Sequence, residues 1–189
     1  MTARIRLDGD LWNNLLVELS ARGAGTRESA AFLLVPKGDT AVPTEVVTEI
    51  VYLDDLDATC LTGGITFSAE GQSKLLALCR VRGLKVVADV HTHPGPWVEQ
   101  SRIDAAHPMV AVTGHVALIV PNYGQHQPGL EDVGVHIYIG DGRWDSTFGL
   151  EVHDLVELRE KPSSAHESCG RALSRLIAGL MRVLRRRPS

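Results

Sequence analysis

The sequence predicts a mixed α/β protein in which a β-sheet is flanked by helices. Two short apolar runs, 29–35 and 84–90, are bounded by polar residues, glycine or proline and are typical of buried strands. Around them, apolar residues recur at helical spacing after residues that cap helices well. With 189 residues, 44% of them hydrophobic and 22% charged, the chain is long enough for one globular domain with a sizeable core.

The individual elements follow from the same signals. Strands are predicted over 3–7, 29–35, 46–53, 65–67, 84–90, 115–120, 133–139 and 144–148, with a polar loop at 54–63. The pair Asp141-Gly142 suits a tight turn before the last of these strands. Helices are predicted from a cap at Asp8 or Asp10 to about residue 21, from a cap at Ser68 to about residue 81, and over 101–109. Leu76 is expected among the inward residues of the second helix.

Charge is unevenly distributed along the chain. The net charge is −4, yet residues 161–189 carry seven Lys/Arg and one acid, which leaves residues 1–160 with a net charge of −10. An acidic body of this kind argues against a duplex-binding surface, so no nucleic-acid partner is expected. No run of about 18 apolar residues is present, and therefore no membrane span is expected.

Cysteine usage and the first residues predict the compartment. Cys60, Cys79 and Cys169 are an odd number at wide spacing and form neither a CxxC metal pair nor a disulfide framework. The opening residues carry charges at Arg4 and Asp8 and lack the apolar core of a signal peptide. The expectation is a reducing, cytoplasmic setting.

The stretch VVADVHTHPGPWVEQSRID, residues 86–104, carries the candidate site. Side chains at i and i+2 of an extended chain point to the same face, so His91 and His93 project together if the strand runs through residue 93. Asp104 follows in the first turn of the next helix, where its carboxylate can reach the strand end. Two histidines and one carboxylate with an open fourth position are typical of a catalytic zinc site, although these ligands also suit iron or manganese.

A structural interpretation exists for the same residues. Ser101 and Asp104, three positions apart, form a capping box that satisfies the first N–H groups of a helix without any catalysis. An isolated His-x-His pair is a weak signal of metal binding. The two interpretations are compatible, because a carboxylate has two oxygens and a hydroxyl both donates and accepts.

The order and spacing together add a family resemblance. His91-Thr92-His93-Pro94, six further residues and Ser101-Arg102-Ile103-Asp104 resemble the signature of the JAMM zinc metalloproteases, also called the MPN+ or JAB family. The resemblance covers about residues 3–150 and implies a curved mixed sheet flanked by helices, the MPN/JAB variant of the cytidine-deaminase-like fold. It implies one zinc ion per chain, held by His91, His93 and Asp104, and a Ser101 hydroxyl that stabilises the oxyanion.

Other positions near this signature are also candidates. The family carries a glutamate ahead of an apolar strand, and Glu28 in RESAAFLLV fits, which implies that Glu28 is the general base. Glu45 and Glu49 are rivals, but neither precedes such a run. Trp97 is either a substrate contact or a residue that packs the loop. Asp89 shares strand parity with both histidines and is a candidate to hydrogen-bond one of them, although no family motif carries it.

Two segments are predicted, a JAB/MPN+ metalloprotease domain over residues 1–160 and a basic C-terminal helix over residues 161–189. In the second segment Arg185-Arg186-Arg187 ends a helical apolar stripe, which comprises Leu173, Leu176, Ile177, Leu180 and Leu184. This amphipathic pattern fits a helix docked on the domain, a partner-binding helix or an interfacial membrane helix. The sequence does not separate these three.

The resemblance implies a zinc-dependent isopeptidase or peptidase that cleaves after the C-terminus of a ubiquitin-like protein. Abundant Ala, Arg, Val and Gly favour a bacterial source, so the expected partners are a ubiquitin-like protein or its conjugates, with the E1-like and E2-like enzymes of the same pathway. Three alternatives stay open. They are a hydrolase that releases a small adduct from a sulfur-carrier protein, a catalytically silent MPN scaffold, and a DNA-repair-associated relative, which the acidic body disfavours.

Overall fold

The computed structural model describes residues 4–38, 44–62 and 64–160. The strands assigned in them are β1 Ile5–Asp8, β2 Ala30–Pro36, β3 Glu45–Val46, β4 Glu49–Tyr52, β5 Leu84–Thr92, β6 Val116–Val120, β7 Gly134–Gly140, β8 Arg143–Thr147 and β9 Val156–Arg159. The α-helices are α1 Gly9–Gly23, α2 Leu53–Leu56, α3 Ala69–Arg82 and α4 Arg102–Ala106. Short 3-10 turns lie at Asn122–Gly124, Leu130–Asp132 and Gly149–Asp154.

The strands form two sheets. The larger has six strands in the order β4–β2–β5–β6–β7–β8, and the smaller has three in the order β3–β1–β9. In the larger sheet β5 pairs antiparallel with β2 and parallel with β6, so the sheet is mixed. The predicted fold class, a mixed α/β protein with a mixed sheet flanked by helices, is confirmed. The central strand is β5, which carries the candidate site.

Two apolar clusters cover opposite faces of the large sheet, and β2 contributes alternate residues to each. Ala31, Leu33 and Val35 pack with the inward residues of α1, whereas Ala30, Phe32 and Leu34 pack with those of α2 and α3. Paired residues of adjacent strands share a face. Because Ala30 pairs with His91 and Phe32 pairs with Asp89, both of these polar side chains lie on the α3 face.

The two long helices begin and end where their local chemistry requires. Asp8 caps α1 by accepting hydrogen bonds from the N–H groups of Asp10 and Leu11. Ser68 caps α3 by accepting from the N–H of Gly71 at 3.1 Å, as its position in the sequence predicts. Gly83 ends α3 at a φ of 65°, a left-handed conformation that glycine adopts readily.

Several predicted elements differ from the structure. The single strand predicted over 46–53 is wrong, because Val46 belongs to β3 in the small sheet, Glu49–Tyr52 forms β4 in the large one, and Leu53 begins α2. The strand predicted over 65–67 is reduced to one bridge between Leu61 and Ile65. Leu76 is 70% exposed instead of inward, and β9 was not predicted.

Two further predictions concern the chain as a whole. The basic helix predicted over 161–189 lies outside the described residues. Among the helices that are described, none combines the length and the apolar character needed to cross a membrane.

Candidate metal centre

The candidate site lies at the C-terminal end of β5, in the middle of the large sheet. The strand ends at Thr92, but the backbone N–H of His93 donates to the carbonyl oxygen of Val120 at 2.9 Å, so the ladder continues by one residue. The imidazoles of His91 and His93 therefore project together, with ring centroids 5.1 Å apart. Both histidines are buried.

The helix cap of α4 brings the carboxylate to the histidines. The N–H of Asp104 donates to Ser101 Oγ at 3.1 Å, and the N–H of Ser101 donates to Asp104 Oδ2 at 3.0 Å, which confirms the predicted capping box. The same Oδ2 lies 3.3 Å from Nε2 of His93 and 3.9 Å from Nε2 of His91. One carboxylate oxygen therefore serves the cap and faces both imidazoles.

Two of the three converging atoms, His93 Nε2 and Asp104 Oδ2, are acceptors. Nδ1 of His93 lies 3.3 Å from the carbonyl oxygen of Trp97, which can only accept, so Nδ1 carries the proton and Nε2 carries a lone pair. That lone pair faces His91 Nε2 at 3.3 Å and the Asp104 carboxylate. These two acceptors lie 3.3 Å apart and repel each other unless a cation or a proton lies between them.

The spacing of these atoms fits a metal ion. Ligands about 2.0–2.1 Å from a tetrahedral zinc ion lie about 3.4 Å from one another. Two of the three separations, both 3.3 Å, match that value, and the third is 3.9 Å. Imidazole nitrogen and carboxylate oxygen are ligands that zinc accepts. His91, His93 and Asp104 could therefore hold one metal ion and leave a fourth position open.

The electrostatics of the group also favour a cation. Burial by itself raises the pKa of Asp104, but the adjacent imidazole of His93, the neighbouring His91 and the hydrogen bonds with Ser101 bring it well below its ordinary value. Burial by itself lowers the pKa of His91, but Asp89, Asp104 and Glu28 together raise it. The carboxylates around His91 therefore stabilise positive charge at this site.

Glu28 lies close to this group without belonging to it. It lies two residues before β2, whose Ala30 pairs with His91, and its side chain lines the same cavity as His91 and Asp104. Burial raises the pKa of Glu28, the two histidines lower it and Asp104 raises it, with a net rise above the ordinary value. That direction suits a proton acceptor that works near neutral pH.

A buried hydroxyl pair ties the Glu28 segment to β5. The N–H of Ser29 donates to Thr92 Oγ1 at 2.9 Å, and the N–H of Thr92 donates to the Ser29 carbonyl oxygen at 3.0 Å. The Ser29 hydroxyl donates to the carbonyl oxygen of Leu19 at 2.7 Å. Thr92 lies between the two histidines in sequence, so its side chain points to the opposite face.

The loop after His93 is supported by His136 of β7, which Ser146 of β8 contacts in turn. Nε2 of His136 lies 2.8 Å from the carbonyl oxygen of Val98, and Nδ1 lies 2.8 Å from Ser146 Oγ. Burial lowers the pKa of His136, which keeps it neutral. The Trp97 ring is half exposed and its centroid lies 6.2 Å from that of His93. Trp97 therefore packs this loop while one side of its ring stays accessible.

A cavity of about 600 Å³ is lined by two of the three candidate ligands, His91 and Asp104. Its wall combines Glu28, His91 and Asp104 with apolar residues, among them Ile65, Phe67, Ile103 and Met109. Gln100 also lines it, and the side-chain oxygen Oε1 of Gln100 is buried without a hydrogen-bond partner among the described residues. The volume lies in the range of small-molecule sites.

Comparison with known proteins supports the fold. No protein-family model matches the sequence. A protein of Desulfitobacterium hafniense is similar in structure, with 19% identity and a TM-score of 0.56 over 86% of this chain and 97% of that one. A protein of Salinibacter ruber has 15% identity and a TM-score of 0.53 over 85% and 93%. A JAB1/MPN domain protein of Archaeoglobus fulgidus has 16% identity and a TM-score of 0.40 over 85% and 98%.

The structure groups His91, His93 and Asp104 and places Glu28 on the wall of the cavity that His91 and Asp104 line. The roles of the predicted site residues stay predictions. It also shows contacts that the sequence analysis did not identify. Ser29 and Thr92 are joined across 63 positions, and His115 Nε2 lies 2.6 Å from Asp89 Oδ1 across 26 positions. Strand parity singles out Asp89, but no local signal identifies its partner, because the pairing depends on the register between β5 and β6.

Proposed function

We propose that this protein is a zinc-dependent isopeptidase or peptidase of the JAMM type, which cleaves after the C-terminus of a ubiquitin-like protein. The observation that carries the proposal is the convergence of His91 Nε2, His93 Nε2 and Asp104 Oδ2 beside a cavity whose wall includes Glu28. The spacing of the His-x-His-Pro and Ser-x-x-Asp segments, which resembles the signature of that family, supports the choice of reaction.

The chain's own residues suit hydrolysis of an amide. Zinc bound by these three ligands would lower the pKa of water towards ~7 and polarise a carbonyl oxygen. Glu28 accepts a proton from the attacking water and returns it to the nitrogen of the leaving amine as the C–N bond breaks. The Ser101 oxygen already accepts from the N–H of Asp104, so its own proton is free to stabilise negative charge on the carbonyl oxygen.

The cavity suits an extended peptide tail. Ile65 and Phe67 supply apolar wall, and Gln100 Oε1 supplies an acceptor that a substrate N–H would satisfy. Ubiquitin-like C-termini are extended chains of small residues, and such chains bind through their main-chain groups. The partners that follow are a ubiquitin-like protein or its conjugates and the E1-like and E2-like enzymes that make them, in the cytoplasm.

The test uses ubiquitin-like proteins fused through their C-termini to a reporter. We expect the zinc-loaded protein to cleave them, and chelation to abolish cleavage. Glu28→Gln should keep zinc but lose at least about 100-fold in turnover, since a general base typically contributes that much or more. Glu70→Gln on α3 is the matched control, because Glu70 is largely exposed and pairs with Lys74. Full activity of Glu28→Gln would remove Glu28 from the mechanism.

The cavity volume also favours a second candidate, the release of a small adduct from a carrier protein. A cavity of about 600 Å³ accommodates a drug-sized group without a folded partner. Small amide adducts tested beside the folded fusions separate the two functions. Cleavage of the adducts alone would assign the small substrate, and cleavage of neither by a zinc-loaded protein would contradict the proposed hydrolase.

A further inference from the structure

A buried carboxylate–histidine pair lies next to His91, on the side away from the convergent atoms. Asp89 and His115 are only 2% and 6% exposed, and His115 Nε2 lies 2.6 Å from Asp89 Oδ1. Asp89 pairs with Phe32 across β5 and β2, so its carboxylate lies on an apolar face of the sheet. A charge in such a place is costly unless it is paired, and His115 supplies one partner.

The second oxygen of this carboxylate faces His91. Asp89 Oδ2 lies 3.8 Å from His91 Nδ1, which is close enough for electrostatic attraction but longer than a hydrogen bond. Nδ1 of His91 is buried and has no hydrogen-bond partner among the described residues. Because His91 Nε2 points at His93 and Asp104, Nδ1 is the nitrogen that must carry the proton if Nε2 is to bind a metal ion.

We propose that Asp89 and His115 are positioning residues that hold His91 in the tautomer required for metal binding. His115 fixes Asp89 through Oδ1, and Asp89 Oδ2 is thereby aimed at the Nδ1–H group of His91. Asp89 faces His91 Nδ1 and not the convergent atoms, and it also forms part of the wall of the cavity. The inference rests on the proposed metal centre. It adds His115, which directly precedes β6, whereas His91 lies on β5.

The first test measures the affinity of the purified full-length chain for zinc by competition with a chromophoric chelator. We expect Asp89→Asn to weaken zinc binding by about 10–100-fold, the usual effect of removing such a partner. His115→Leu should weaken it in the same direction. His115→Gln should stay within about threefold of the wild type, since its amide N–H replaces the donor at a similar distance from the backbone.

Asp57→Asn is the matched control, because Asp57 is also a buried carboxylate but is bonded to Thr59 and Ser68. Its zinc affinity should equal that of the wild type. Wild-type affinity in Asp89→Asn would overturn the proposal. Equal losses in His115→Gln and His115→Leu would overturn the role of His115.

A second measurement is independent of metal loading and of how the variants fold. The imidazole ¹⁵N spectrum of the metal-free wild-type protein reports which nitrogen of His91 carries the proton. We expect the Nδ1–H form. The Nε2–H form would refute the inference even if the protein binds zinc. The Nδ1–H form in a wild-type protein that fails to bind zinc would refute the proposed metal centre and leave the Asp89–His91 contact in place.

Discussion

Removing one hydroxyl between the two histidines tests how the Glu28 segment is held. Thr92 and Ser29 are both fully buried, and Thr92 Oγ1 accepts the N–H of Ser29 at 2.9 Å. Thr92→Val keeps the volume of the side chain and replaces this acceptor with a methyl group. The Ser29 N–H is then left in an apolar site without its acceptor, one residue from Glu28.

The size of the effect follows from that lost acceptor. A buried donor that loses its partner costs about 1–3 kcal/mol, and an isosteric change adds little cavity cost. For a domain of this size each kcal/mol corresponds to roughly 2–4 °C in Tm, so Thr92→Val should melt about 2–12 °C below the wild type. Zinc affinity should not change, because the Thr92 side chain lies on the face opposite the imidazoles.

The assay combines thermal unfolding with hydrogen exchange at the Ser29 amide. Thr92→Ser restores the hydroxyl and should recover most of the stability and the protection of this amide. Thr48→Val is the matched control, since Thr48 is exposed and should tolerate the same change. If Thr92→Val unfolds at the wild-type temperature and Ser29 exchanges no faster, the hydroxyl does not hold this segment and the reasoning is refuted.

Two further predictions concern the loop after His93 and the cap of α3. A Cβ at Gly134 would overlap the carbonyl oxygen of Val98, a backbone atom that cannot move aside, so Gly134→Ala should lower Tm by several degrees and an unchanged Tm would contradict the packing. Hydrogen bonds from Ser68 and Thr59 hold the pKa of Asp57 well below its ordinary value. A carboxylate whose pKa is depressed in the folded state stabilises the fold above its unfolded pKa of about 3.9, and this stabilisation is lost as the pH falls through the folded pKa. Asp57→Asn should therefore flatten the decline of Tm below about pH 4. Parallel Tm–pH curves for the two proteins would exclude this contribution.

The elements that the sequence predicts correctly depend on neighbours along the chain. The apolar runs of β2 and β5 and the caps at Asp8 and Ser68 are local signals, and the structure confirms all of them. The elements that were missed depend on distant pairing. Residues 156–159 form β9 because they pair parallel with β1. So short a segment carries no local sequence signal that predicts a strand.

The division of residues 46–53 has the same origin. Val46 pairs with Arg6 in the small sheet, while Glu49–Tyr52 pairs with β2 in the large one. No glycine or proline marks the change between Val46 and Glu49. The apolar pattern therefore predicts one strand, because it shows which side chains are apolar and not which strand they pair with.

Local sequence signals predict one part of the candidate site, and pairing between distant segments determines the rest. Parity along an extended chain suffices to bring His91 and His93 together, and a capping box suffices to turn Asp104 towards them. The partners that hold these segments depend instead on register. Ser29 meets Thr92 only because β2 and β5 pair as they do, and His115 meets Asp89 only across β5 and β6.

The capping box explains why the structural and the metal-binding interpretations of Asp104 need not compete. Its Oδ2 accepts the N–H of Ser101 at 3.0 Å and faces His93 Nε2 at 3.3 Å, so the hydrogen bond that starts α4 also fixes the oxygen nearest the histidines. A carboxylate held in this way has already lost its rotational freedom, and binding an ion there costs less entropy than it would for a free side chain. The same two hydrogen bonds hold Ser101, so its hydroxyl lies at a fixed distance from Asp104, the proposed metal ligand.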